Sequence, residues 1–369
     1  MIDYQCFSIK EVFQKGTEMN RKIKICIAVT MFVCSIYAET ETVNGITWTY
    51  KVEDGKAIVG DRRTFSSAIP TETSGSITIP STLGGYSVTR IDGFAFFGKD
   101  KLTHITIPDG VTSIGEYAFE GCRSLTSITI PNTVTSIGIN AFEGCEGLLD
   151  SNGLIIVNNV LYDYLGDGEK IEVPNTVTSI ADYAFYFCDF TSILIPNSVT
   201  NIGSRTFYNC TSLTSITILG SVTSIGEYAF YNCSSLMSIT IPGSVSSIGE
   251  LAFYNCNSLT NATILYGVKS LGSRAFGDCS SLANITIPGS VTSIGKCAFV
   301  GCSSLAGMMI PDSVTNIEGG AFSGCSSLTS ITIPDSVTNI GERAFFGCKS
   351  LSDSNGFVIV KNRLYDYFV

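Results

Sequence analysis

Apolar residues recur along this chain in two short alternations per repeat, without a sustained helical period. In residues 213–233 they fall at Leu213, Ile216, Ile218, Val222, Ile225, Ala229, Phe230 and Cys233. Leu-x-x-Ile-x-Ile therefore reads as a short strand with alternate residues inward, and Val-x-x-Ile-Gly as a second short extended segment. The stretch 227–232 then predicts a single helical turn. Gly226 and its equivalents predict a corner where unusual backbone angles are needed.

The unit repeats almost unchanged, as residues 125–145 (LTSITIPNTVTSIGINAFEGC) illustrate. The Phe of its Ala-Phe pair falls at Phe96, Phe119, Phe142, Phe185, Phe207, Phe230, Phe253, Phe276, Phe299, Phe322 and Phe345, which makes eleven coils. Spacing is 23 residues except for 43 between Phe142 and Phe185 and 22 between Phe185 and Phe207. One unit cannot bury its own apolar side, so neighbouring units must share a core and pair strands. At ~4.8 Å per strand, the coils predict a rod with a core roughly 50 Å long.

Three segments depart from the unit. Residues 39–76 contain an alternating stretch around Asp54-Gly55, a hairpin signal, and are expected to cap the first coil. The long spacing holds an insertion at 149–172, where alternation around Asn158-Asn159 predicts a hairpin bulging from the rod. The tail 352–369 repeats the first half of that insertion, which fits either a cap on the last coil or a truncated frame. Within the coils, Lys99 replaces the first Cys and is expected to mark an edge, while Leu219 and Leu265 replace the Pro that follows the strand.

The motif Leu-x-x-Ile-x-Ile-Pro-x-x-Val-x-x-Ile-Gly-x-x-Ala-Phe-x-x-Cys, carried through residues 77–351, resembles the BspA-like leucine-rich-repeat proteins. The resemblance implies a β-rich (α/β-type) leucine-rich-repeat solenoid. Here that means about eleven 23-residue coils, an N-terminal hairpin cap and one inserted hairpin. It also implies a secreted or cell-surface protein that adheres to host or microbial partners.

Composition narrows the function. The chain is 44% hydrophobic and 15% charged, so it folds, and a net charge of −10 disfavours nucleic acid as a partner. A single histidine, His104, leaves little general-base chemistry. No P-loop, dinucleotide fingerprint, HExxH pair or GxSxG elbow is present. The expectation is a non-enzyme with no cofactor and no metal.

Residues 19–38 read as a secretory signal peptide. Arg21, Lys22 and Lys24 precede an apolar run from Ile25 to Tyr37, and Ala38 stands at the cleavage position. Residues 1–18 would then be an extension ahead of the true start at Met19. The mature chain holds 17 basic and 29 acidic residues and is not expected to insert into a membrane.

Three repeated positions carry candidate chemistry. Ten Cys occupy one coil position, from Cys122 to Cys348, where they can serve as buried free thiols or pair as disulfides. Thr217, Thr240, Thr263 and Thr286 share the outward position between the two Ile of the strand, where they can be solvated β-branched residues or a ligand face. Tyr186, Tyr208, Tyr231 and Tyr254 follow the core Phe in four consecutive coils, where they can pack between coils or form a binding patch. The expected function is recognition of extracellular protein or glycan. The alternative is a structural spacer presenting a C-terminal domain, and oligomeric state is not legible.

Overall fold

The computed structural model describes residues 38–64 and 66–367. The expected extension 1–18 and the signal-like segment up to Tyr37 lie outside the described residues. The fold is a β-solenoid of about 12 turns with a period near 23 residues and almost no helix.

Each regular coil contributes two strands. Ser215–Ile218 pairs in parallel with Ser192–Ile195 of the coil before it, residue for residue. Two-residue segments such as Ser224–Ile225 extend a second sheet of ten strands, nine of them parallel, that ends at Asn339–Ile340. Parallel pairing at constant register sets identical side chains above one another, so every inward position becomes a file. The core Phe rings stack with centroids 4.9–5.7 Å apart in each regular step.

The helical turn expected after Gly226 does not form. Tyr228 and Asn232 take left-handed φ values of 55° and 57°, and neighbouring coils repeat the pair at Arg205 and Asn209 and at Leu251 and Asn255. Two left-handed residues per coil prevent a continuous helix and swing Ala229 and Phe230 inward, where both are fully buried. Among the described residues, helix is confined to single 3-10 turns at Glu146–Leu148 and Lys349–Leu351.

Gly226 is required for a different reason from the one expected. It has no positive φ. A Cβ there would lie 2.5 Å from Ser204 N and 2.6 Å from Gly203 C, so the glycine file is what allows coil backbones to touch.

The inserted hairpin does not bulge outward. Leu154–Val157 and Val160–Tyr164 pair antiparallel around Asn158-Asn159, whose φ values of 51° and 62° make the tight turn. The second strand then pairs in parallel with Ser179–Ile180, so the hairpin heads the ten-stranded sheet. Its two faces serve different cores. Leu154, Leu161 and Tyr164 join the cluster that runs to the C-terminal coils, while Ile155 and Val157 join the N-terminal cluster. The hairpin is a diaphragm between two stacks, because alternation here is apolar on both sides rather than apolar and polar.

At the N-terminal end two hairpins, turning at Asn44-Gly45 and Asp54-Gly55, place three antiparallel strands against the first coil. The Asn44-Gly45 turn is a second hairpin signal that the sequence reading passed over. Trp48 is 1% exposed and meets Phe96 edge-on at 6.3 Å. The third strand pairs with Tyr86–Ile91, so that coil is interior, and Lys99 is 4% exposed instead of marking an edge. Lys51 anchors the cap through a buried ion pair with Asp92 at 2.7 Å.

Candidate binding surfaces

The four tyrosines predicted as a patch do converge into one file. Ring centroids are 5.3 Å apart for Tyr186 and Tyr208, 4.7 Å for Tyr208 and Tyr231, and 5.3 Å for Tyr231 and Tyr254. All four are half-buried. Their ring faces cover one another, so what reaches solvent is mainly edges and hydroxyls.

The file has a distinct chemistry at each end. Phe187, 56% exposed, packs edge-on against Tyr186 at 4.5 Å. Arg205 lies over the rings of Tyr183 and Tyr228 at 5.6 and 4.6 Å, and it donates to the Tyr183 hydroxyl at 3.0 Å. At the other end the Tyr254 hydroxyl donates to Asp278, and this carboxylate pushes the phenol up to about 12. Burial raises Tyr186 and Tyr231 as well, so these phenols stay protonated at physiological pH. Sequence reasoning did not pick out Phe187 or Arg205, although both stand at the left-handed corner positions of tyrosine-bearing coils.

The threonine row occupies the strand face as expected. Thr217, Thr240 and Thr286 are exposed and Thr263 is half-buried. Thr240, Thr263 and Thr286 lie side by side in register. The row is bounded by Leu194, paired with Thr217, and by Met309, which is 74% exposed. Met308 is turned inward at 6% exposure, so only one of the two methionines interrupts the row.

The cysteine file is a set of free thiols. The thiols of Cys233, Cys256 and Cys279 donate to the carbonyls of Phe207, Phe230 and Phe253 in the preceding coil, at 3.1–3.2 Å. Desolvation raises their pKa values, so the thiolate needed for reaction is suppressed. Cys188 sits beside the hairpin, half-buried, and its contact to Tyr164 O stretches to 3.9 Å. Among the described residues no group of three His, Cys, Asp or Glu is placed to hold a metal ion.

Comparison with known proteins fixes the family. The model of the BspA-type leucine-rich-repeat region matches residues 71–153, 155–283 and 247–357 in six copies. The chain belongs to the BspA-type leucine-rich-repeat family.

No curated protein matches it. Among solved structures it is similar to a leucine-rich repeat protein from Bacteroides ovatus, at 27% identity over 84% of this chain and 93% of the other with a TM-score of 0.38. A leucine-rich cell surface protein from Faecalibacterium prausnitzii is also 27% identical, over 85% and 93%, with a TM-score of 0.36. The pneumococcal vaccine antigen PcpA is 20% identical over 84% and 86%, with a TM-score of 0.40.

A concave feature interrupts this BspA-type surface. A cleft of about 1020 Å³ opens where the inserted hairpin hands over to the next coil, with Leu165, Leu194 and Leu219 among its lining residues. Two deviations from the coil pattern could have pointed to it. Leu194 stands in the threonine row and Leu219 stands where the coil usually has Pro, both within two coils of the insertion.

Proposed function

We propose that the chain is a non-catalytic extracellular binding protein that recognises a protein or glycan partner through the outer surface of its coils. Tyr186, Tyr208, Tyr231 and Tyr254 form the primary contact, and Thr217, Thr240, Thr263 and Thr286 offer a second face.

One observation carries the choice of the tyrosines. The same coil position is filled by Phe97, Glu120, Glu143, Gly277, Val300, Ser323 and Phe346 elsewhere, and the coils without an aromatic there still stack their core rings at 5.4–5.7 Å. The fold therefore does not demand tyrosine there, and the run of four is read by the surface it presents. Because their faces are stacked on each other, the strip favours a protein partner, which meets ring edges and hydroxyls, over a sugar that needs an open ring face.

Family membership supports a surface or secreted location, and no helix among the described residues is long and apolar enough to cross a membrane. The test uses the chain from residue 39 onward, displayed against panels of extracellular matrix proteins, mucins and glycans. Capture of a protein that is lost on Tyr208→Ser with Tyr231→Ser, at unchanged melting temperature, is the expected result. Capture indifferent to those changes, or none across the panels, contradicts the reading.

A further inference from the structure

The strand Lys170–Glu172 opens a three-stranded parallel sheet with Ser192–Ile195 and Ser215–Ile218, and it is paired on one side only. Glu169 O accepts from Thr191 N at 2.8 Å, and Val173 N donates to Leu194 O at 3.2 Å. Main-chain groups of successive strand residues point to opposite edges, so Lys170 and Glu172 present theirs to the open side. Both residues line the cleft of about 1020 Å³.

The cleft is already built. Tyr164 Oη accepts from Gly168 N at 2.8 Å and donates to Gly168 O at 3.2 Å, which fixes the wall formed by residues 165–168. Residues 151–153 belong to the same wall, packed so closely on it that a Cβ on Gly153 would come within 2.6 Å of Gly166 Cα. A ligand would therefore have little loop ordering to overcome. Leu165, Leu194 and Leu219 supply apolar lining, and Asp167 and Glu172 supply negative charge against the single Lys170.

We propose that this cleft binds an extended peptide of alternating basic and apolar residues, which adds as a strand to the free edge of Lys170–Glu172. Main-chain pairing supplies the affinity. The peptide's outward side chains fall on the face that carries Glu172 beside Leu194 and its inward ones follow Ile171, and two carboxylates against one lysine select a basic segment over an acidic one. The site is separate from the tyrosine file and stands whether or not that file binds.

The experiment is fluorescence polarisation with the chain from residue 39 onward and a labelled eight-residue peptide of alternating Lys and Val. A Glu and Val peptide serves as control. The basic peptide is expected to bind and the acidic one not. N-methylation of alternate amides in the basic peptide should weaken it about tenfold, the loss of one or two hydrogen bonds.

Lys170→Pro separates pairing from charge. It removes a donor on the open edge while making the cleft more acidic, so strand addition predicts weaker binding and simple attraction predicts tighter. Glu172→Lys should also weaken binding, and the N-methylated peptide keeps the test decisive if either variant misfolds. No binding of the basic peptide, or binding unmoved by N-methylation, overturns the proposal.

Discussion

The chain contains the same hairpin twice, and the two copies lead different lives. Leu154–Val157 with Val160–Tyr164, and Phe357–Val360 with Arg363–Tyr367, share a two-residue left-handed turn and a register shift at the same point. In both, one face closes the stack that precedes it. Tyr162 meets Phe142 edge-on at 5.6 Å, and Tyr365 meets Phe345 edge-on at 5.2 Å.

The other faces differ. Leu161 and Tyr164 are 0% and 5% exposed beneath the following coils, while their counterparts Leu364 and Tyr367 are 56% and 51% exposed. Equivalent side chains on equivalent strands are thus core in one place and surface in the other. What decides burial is the coil stacked next to them, which is the physical content of a quasi-one-dimensional fold.

The largest test of that contrast is a paired truncation. Leu161→Ala removes a fully buried side chain at the junction of two stacks and should cost about 3 kcal/mol, whereas Leu364→Ala should cost less than about 0.5 kcal/mol. Guanidinium unfolding followed by near-ultraviolet dichroism reads both. Equal costs would show that the two faces are equally covered.

A smaller difference separates the two tyrosines. Tyr164→Phe deletes both hydrogen bonds to Gly168 and should lower stability by about 1 kcal/mol. Tyr367→Phe, on the exposed face, should leave the melting temperature unchanged.

The smallest expected effect is a pH slope. Burial, with Glu143 adding to it, raises the Asp163 carboxyl from 3.8 to about 7. The folded chain therefore holds a proton that the unfolded chain has released. Its contribution to stability is complete below about pH 4 and is lost as pH rises to about 7. Asp163→Asn should flatten the midpoint-against-pH curve over that window, and an unchanged curve would remove the carboxyl from the account.

Much of the architecture was legible because a repeated sequence reports its own contacts. The period, the inward Leu, Ile and Phe positions and the cysteine file all follow from one coil being forced to match the next. What was not legible depended on how close and how rotated the coils are. The 227–232 stretch reads as helix until the left-handed φ of Tyr228 and Asn232 is known, although the Asn file was a usable hint.

Gly226 reads as a flexible corner until the 2.5 Å approach of Ser204 is seen. The hairpin reads as a bulge because strand alternation does not say whether each face meets water or another core. Of the candidate sites, the tyrosine file was visible as spacing. The cleft was hinted at only by Leu194 and Leu219, since its shape is made by a strand edge and a glycine-rich wall.

Native-state hydrogen exchange tests the diaphragm most directly. Thr178 N and Ala181 N donate to Asn159 O and Leu161 O of the hairpin, at 2.8 and 2.9 Å. Their counterparts one coil on, Thr200 N and Gly203 N, donate to Thr178 O and Ile180 O at 2.9 and 3.0 Å. If the hairpin is stacked between the two cores, all four amides exchange at comparably slow rates. Fast exchange at Thr178 and Ala181 beside slow exchange at Thr200 and Gly203 would place the hairpin outside the rod and contradict the account.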